Sequence, residues 1–175
     1  TRGKSVKAVA TEAEAEVVFT GNLWSYDSVR GARWFIDRVL PGVAEAVPGV
    51  RFRMVGRDPA PELVEAAERD ARVRIDANVP DIRPYLGRAA VYVCPLFSGG
   101  GVKNRLLEAM AMARPAVTTP DCAAALELRD GEAVRAAGDV PSFTRAVVDL
   151  LDDEAGRRRL GDEARDVVLD RFSWE

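Results

Sequence analysis

Histidine is absent from the 175 residues. That removes every Ser-His-Asp or Cys-His nucleophile and most catalytic zinc sites, so any chemistry must run without an imidazole acid or base. Cysteine is almost as scarce. Cys94 and Cys122 form no CxxC pair and are expected to be buried small hydrophobes of a reducing compartment. A basic excess is missing too: 25 Lys and Arg stand against 28 Asp and Glu, a net charge of −3. Nothing there supplies the basic stripe of a nucleic-acid binder. The nearly apolar stretch Leu106 to Ala113 is interrupted by Glu108 and is too short for a bilayer. No signal-peptide pattern opens the chain. What remains, 47% hydrophobic and 30% charged residues, is the composition of one ordinary globular domain.

Thr1 to Ala15, rich in Ala, Glu and Lys, reads as a linker or arm, and the domain is expected over 16–175. Short apolar runs at Glu16–Gly21, Val50–Gly56, Val73–Asp76, Ala90–Cys94 and Pro115–Thr118 read as buried strands, with a sixth at Ala133–Arg135. Helical spacing joins Ile36, Val39, Leu40, Val43 and Val47, with Asp27 or Ser28 as the N-cap and Pro41 expected to kink or split the helix. Further helices are expected at Pro61–Arg69, Asp81–Leu86 and Lys103–Ala113. Two amphipathic helices close the chain, striped by Phe143, Val147, Leu150 and Leu151, then by Leu160, Ala164, Val167 and Val168. Continuous apolar strands alternating with helices predict an α/β fold, a doubly wound, Rossmann-like parallel sheet with ligands at the carboxyl ends of its strands.

Three strand-end loops stand out. Thr20-Gly21-Asn22-Leu23-Trp24 is not a GxGxxG fingerprint, so a nicotinamide-dinucleotide site lacks its main signal. Gly56-Arg57-Asp58-Pro59 reads as a plain turn with solvated charges. Ser98-Gly99-Gly100-Gly101 is more informative, because three glycines cost backbone entropy and then feed a helix N-terminus, where free amides attract anions. Lys103 and Arg105 fall in that first turn, where the helix dipole disfavours cations unless a phosphate is bound there. Glu108 lies in a segment apolar on nearly all sides and is expected to be buried. Gly101, Asn104 and Glu108 share one helical face, which would set Glu108 below the glycine loop to accept two ribose hydroxyls. Pairing with Arg105 three residues earlier is the alternative for Glu108.

From Val17 to Glu175 the sequence resembles the C-terminal, donor-binding domain of retaining GT-B glycosyltransferases of group 1 type. It is closest to bacterial exopolysaccharide-associated sugar transferases. Gly101-Val102-Lys103-Asn104-Arg105-Leu106-Leu107-Glu108-Ala109-Met110-Ala111-Met112-Ala113-Arg114-Pro115 carries most of the resemblance. Val18-Phe19-Thr20-Gly21, Val79-Pro80-Asp81-Ile82 and Arg171-Phe172-Ser173-Trp174-Glu175 support it. The resemblance implies that Glu108 holds the donor ribose and that Lys103 or Arg105 meets the diphosphate. It places Gly100 and Gly101 against the donor sugar, Asn78 and Val79 by the nucleobase, and Gly21 and Asn22 facing the phosphates. Two departures are plain: Gly100 stands where many members have a second glutamate, and no Arg/Lys pair follows Gly21.

The expected function is binding a UDP- or GDP-sugar for transfer to an acceptor hydroxyl in bacterial polysaccharide or glycan synthesis. Lys103 and Arg105 would stabilise the departing diphosphate, with no metal and no other cofactor. The alternatives are a nucleotide-sugar epimerase of the same architecture and a non-catalytic nucleotide-binding module. A receiver-like module would want an acidic cluster where Gly21-Asn22 stand. The chain has room for one of the two GT-B domains, so its own N-terminal domain is the expected partner and the fragment alone is expected to be inactive. No nucleic-acid partner and no transmembrane segment are expected. The expected location is cytoplasmic, with the inner membrane face open to the full-length protein.

Overall fold

Val17, Val18 and Phe19 are wholly buried on consecutive positions, so both faces of their strand are covered, as in the middle of a parallel sheet. The computed structural model describes residues 15–97 and 103–172. The strand is β1 (Glu16–Asn22), followed by β2 (Arg51–Arg57), β3 (Val73–Ala77), β4 (Val91–Cys94), β5 (Ala116–Thr118) and β6 (Arg135–Ala136). All pair in parallel, in the order β3-β2-β1-β4-β5-β6. That is the doubly wound order, and its switch point lies between β1 and β4. Of the expected arm, 1–14 lie outside the described residues, and Ala15 is buried.

The helix after β1 does divide near Pro41. It runs as α1 (Tyr26–Trp34), a π-turn at Phe35–Val39 and α2 (Leu40–Ala46). Pro41 has no N–H to give, and the Leu40 amide reaches back five residues to the Phe35 carbonyl, widening the turn just ahead of the proline. The N-cap is Ser25, whose Oγ accepts from the Ser28 amide at 3.4 Å, rather than Asp27 or Ser28. The turn aims Phe35 at Phe52, with ring centroids 4.5 Å apart, and Trp34 meets Phe143 edge-on at 5.2 Å.

The remaining helices are α3 (Pro61–Arg69), α4 (Arg83–Arg88), α5 (Lys103–Ala111), α6 (Pro120–Ala125), α7 (Val140–Leu151) and α8 (Glu154–Arg171). Helix α6 was not expected. It is one short turn of small residues capped by Thr119, with no apolar stripe to betray it. Cys94 and Cys122 are buried free thiols, their sulfurs 3.7 Å apart where β4 meets α6. Arg53 crosses the sheet from β2, donating to Glu16 on β1 at 2.6 Å and to Asp76 on β3. Burial opposes its charge, and the two carboxylates outweigh that and push its pKa up. Among the described residues no helix is long and apolar enough to cross a membrane.

Candidate functional site

Two glycines set the carboxyl edge of the sheet. Gly21 and Gly56 face each other across β1 and β2, and a Cβ on Gly56 would stand 1.8 Å from the Gly21 carbonyl oxygen. The chains leaving β1 and β2 can therefore run in contact. Leu23 N–H donates to the Arg57 carbonyl and Ala60 N–H to the Leu23 carbonyl, each at 3.0 Å. Gly31 on α1 does the same for β4, where a Cβ would meet the Pro95 carbonyl oxygen at 2.3 Å. Asp58 and Asn78 turn the chain after β2 and β3 with φ of +47° and +56°, a left-handed geometry that Asp and Asn tolerate best among non-glycines. The Asn78 side-chain oxygen accepts from the Asp58 amide at 3.2 Å, joining the two turns.

Beside these turns lies an open cleft of about 530 Å³. Gly56 and Arg57 enter it from the end of β2, and the turn Val79-Pro80-Asp81-Ile82 forms a second wall. From α5 come Arg105, Glu108 and Ala111, and Met112 follows directly after it. Arg105 and Glu108 pair at 3.5 Å, with their side chains 34% and 48% exposed. Glu108 is thus not buried, contrary to expectation. Helix α5 turns Leu106, Ala109 and Met110 into the core, and its opposite side becomes the cleft wall. The buried stripe is narrower than the run of apolar letters suggests, because Ala111 is exposed and Met112 only partly buried, and both line the cleft.

Arg83 also reaches the cleft and pairs with Asp81 at 3.0 Å. Hydrogen bonds from the Arg83 side chain and amide hold the Asp81 carboxyl below its usual range. The cleft thus holds three guanidinium groups and two carboxylates, and Arg57 has no ion-pair partner among the described residues. An unpaired cation beside two spoken-for pairs suits a polyanionic ligand.

The site residues expected from sequence fall into three groups. Arg105, Glu108 and Val79 line the cleft together. Gly21 and Asn22 lie one strand across from Gly56 and Arg57, Asn78 holds the adjoining turn, and Asn104 is exposed on α5 outside the lining. Gly100 and Gly101, like Ser98, Gly99 and Val102, lie outside the described residues, as does the side chain of Lys103, whose backbone opens α5. Sequence reasoning gave Arg57 no role beyond a solvated turn. The signal available was its place directly after the second strand, next to a glycine.

A doubly wound sheet with a cation-bearing cleft at the carboxyl ends of its strands, between the turn after β3 and the helix after β4, defines a Rossmann-like ligand-binding domain. The profile of the family Glycosyl transferases group 1 matches residues 14–153, and the chain belongs to that family. It is 30% identical over 171 residues to the lipopolysaccharide core biosynthesis glycosyltransferase LpsE of Rhizobium meliloti (strain 1021), covering 94% of this chain and 48% of that one. It thus spans about half the length of the curated relatives it matches. In fold it is similar to the C-terminal domain of a glycosyl transferase group 1 family protein (LpcC) from Francisella tularensis. The TM-score there is 0.76 at 15% identity, over 91% of this chain and 87% of that one. It is also similar to S. aureus TarM, solved with UDP, at a TM-score of 0.76 and 14% identity, over 92% of this chain and 33% of that one.

Proposed function

We propose that the chain is the donor-binding half of a retaining glycosyltransferase, which moves a hexosyl group from a UDP- or GDP-sugar to an acceptor hydroxyl in bacterial glycan synthesis. The meeting of Glu108, Arg105, Arg57 and the Val79 turn in one cleft carries this reading. Glu108 is the ribose ligand, its oxygens accepting two vicinal hydroxyls, and Arg105 turns from Glu108 toward the diphosphate when the nucleotide enters. Val79 and its neighbours offer backbone groups and an apolar edge to the base. Arg57 takes the place of the basic residues that the family often carries after the first strand. Lys103, Arg105 and the amides of the Gly100-Gly101 loop stabilise the departing diphosphate, which is where negative charge develops as the glycosidic bond breaks. No cofactor beyond the sugar donor is invoked, and the cytoplasm is the proposed location, since nucleotide sugars are made there.

Calorimetric titration with UDP, GDP, NAD and acetyl phosphate tests this. Heat with one of the two nucleoside diphosphates, and none with NAD or acetyl phosphate, is the expected result. Equal heats for NAD and the diphosphates would defeat it.

A further inference from the structure

Both cysteines of the chain come together at one place. Cys94 closes β4 and Cys122 stands in the first turn of α6, 28 residues further along, and the Cys94 thiol donates to the Cys122 sulfur at 3.7 Å. Polar groups surround the pair. The Cys122 thiol donates to the Leu96 carbonyl at 3.4 Å, and the Thr119 hydroxyl, which caps α6, donates to the same carbonyl. Thr118 stands opposite Cys94 in the parallel register of β4 and β5, so the two side chains share one face of the sheet. Thr118 is wholly buried, and its hydroxyl has no hydrogen-bond partner among the described residues. An orphaned hydroxyl is costly to bury, and a small polar molecule entering beside Cys94 would satisfy it. The hydrogen bond between the sulfurs also makes them unequal. It lowers the Cys122 thiol below its usual range, to about 7, and pushes Cys94 well up. Near neutral pH Cys122 is therefore in good part the thiolate, the form that attacks, with a second thiol already in contact.

We propose that Cys94 and Cys122 form a redox modification site, closed to a disulfide by hydrogen peroxide and reopened by thiol reductants. The Cys122 thiolate attacks one peroxide oxygen, and the O–O bond breaks. The leaving hydroxide takes up a proton to become water, and Cys122 carries a sulfenic acid. The Cys94 thiol then attacks the sulfenic sulfur, expelling a second water as the S–S bond forms. Two thiols give up two electrons in all, and one peroxide is reduced to two waters. The sulfurs must close to about 2.05 Å for this bond. Strand β4 cannot supply that movement. It lies between β1 and β5, and the Pro95 carbonyl beyond it is pressed against Gly31 of α1, where a Cβ would stand 2.3 Å away. Helix α6 can supply it, being six residues with small side chains at most positions. Closure removes the Cys122 donor from the Leu96 carbonyl and leaves the Thr119 hydroxyl in place. The proposal stands independently of the glycosyl-transfer reading.

The test treats the reduced 175-residue chain, freed of reductant, with hydrogen peroxide at neutral pH, under conditions that convert free cysteine to cystine. The reaction is stopped in acid, thiols are counted after denaturation, and the intact mass is measured without reductant. The thiol count should fall from two to none, and the mass by two hydrogens, with the chain still monomeric. Dithiothreitol should restore both thiols. In Cys94→Ser, which lacks the resolving thiol, dimedone should capture a sulfenic acid at Cys122, whereas Cys122→Ser should leave Cys94 a thiol. Two thiols surviving in the unaltered chain overturn the proposal. So does their loss through added oxygen, or through bonds joining separate chains. The unaltered chain carries these readings by itself, so they hold even where a serine variant does not fold. Dimedone capture at Cys94 in Cys122→Ser, with none at Cys122 in Cys94→Ser, would overturn the order of attack.

Discussion

Glu108 lies half-exposed on the cleft side of α5 with Arg105 beside it. The two roles open to it in the sequence, structural pair and ribose ligand, are therefore compatible, because an ion pair this exposed is worth little and yields readily to a ligand. Glu108→Gln is expected to weaken nucleoside diphosphate binding by about 1–3 kcal/mol, the worth of hydrogen bonds to a charged acceptor. Affinity for inorganic pyrophosphate, which has no ribose, should hardly change. Equal losses for both ligands in parallel titrations would remove Glu108 from the ribose. Arg57→Ala and Arg105→Ala belong to the phosphates instead. Each should weaken a diphosphate more than the parent nucleoside, and the difference should shrink at high salt as exposed charges are screened. A uniform loss for the uncharged nucleoside would mean that neither arginine meets phosphate.

Among the elements, legibility in the sequence followed burial. Strands β1, β4 and β5 are continuous buried runs, whereas β2 and β3 interleave Arg and Asp with their buried residues and are marked by the turns around them, so a parallel sheet could still be read from letters alone. Helix α3 starts at Pro61 and ends at Arg69 as its stripe requires, and Pro41 announced the π-turn ahead of it. Element β6 fell two residues late, since it is only Arg135–Ala136 and is half-buried. The site was harder. Arg57, Val79 and Glu108 meet only because β2, the turn after β3, and α5 end at one edge of the sheet, and no local spacing encodes that meeting. The same edge explains the strongest backbone constraint. Gly56→Ala forces a Cβ onto the rigid Gly21 carbonyl, and about 3 kcal/mol or more of stability should be lost, at the top of the overpacking range. A denaturation midpoint unchanged from that of the parent chain would show that β1 and β2 can part there. Arg53→Ala should also destabilise, because it strands the buried Glu16 carboxylate. Roughly 2–3 kcal/mol is expected, less than the ~3–5 kcal/mol for fully buried pairs. A pH dependence is expected at the turn between α3 and β3. There Arg72 donates to Asp70 through its side chain and its amide and holds the carboxyl below its usual 3.8. A carboxyl lowered in the folded state stabilises above its unfolded pKa, and that stability goes as pH falls through the folded value. The melting-temperature gap between the parent chain and Asp70→Asn should therefore be full near neutral pH and close below pH 3.8. A gap that persists in acid would assign the effect to shape rather than charge.

At the scale of the whole molecule, the doubly wound order places the cleft of Arg57, Arg105 and Glu108 at the carboxyl edge of the sheet, and that cleft is not enclosed. A sugar transfer must bring a donor carbon and an acceptor oxygen together with water kept away, and one open wall cannot do this. The chain should nevertheless fold alone. Six paired strands covered by helices on both faces, with a core running from Ala15 to Ala164, bury what a domain of this length needs. It should bind its nucleoside diphosphate weakly, since only this domain's side of the proposed interdomain cleft is present. It should neither transfer nor hydrolyse donor sugar at an enzymatic rate, because positioning of the acceptor supplies much of the acceleration in a two-substrate reaction. Supplying the proposed N-terminal half should restore turnover, and Glu108→Gln in that longer protein should lower it. The measurement is product formation by the 175-residue chain against a panel of UDP- and GDP-sugars with simple acceptors, beside the same assay on the longer protein. Robust turnover by the shorter chain would overturn the half-enzyme proposal and would require that the acceptor be oriented by this domain alone.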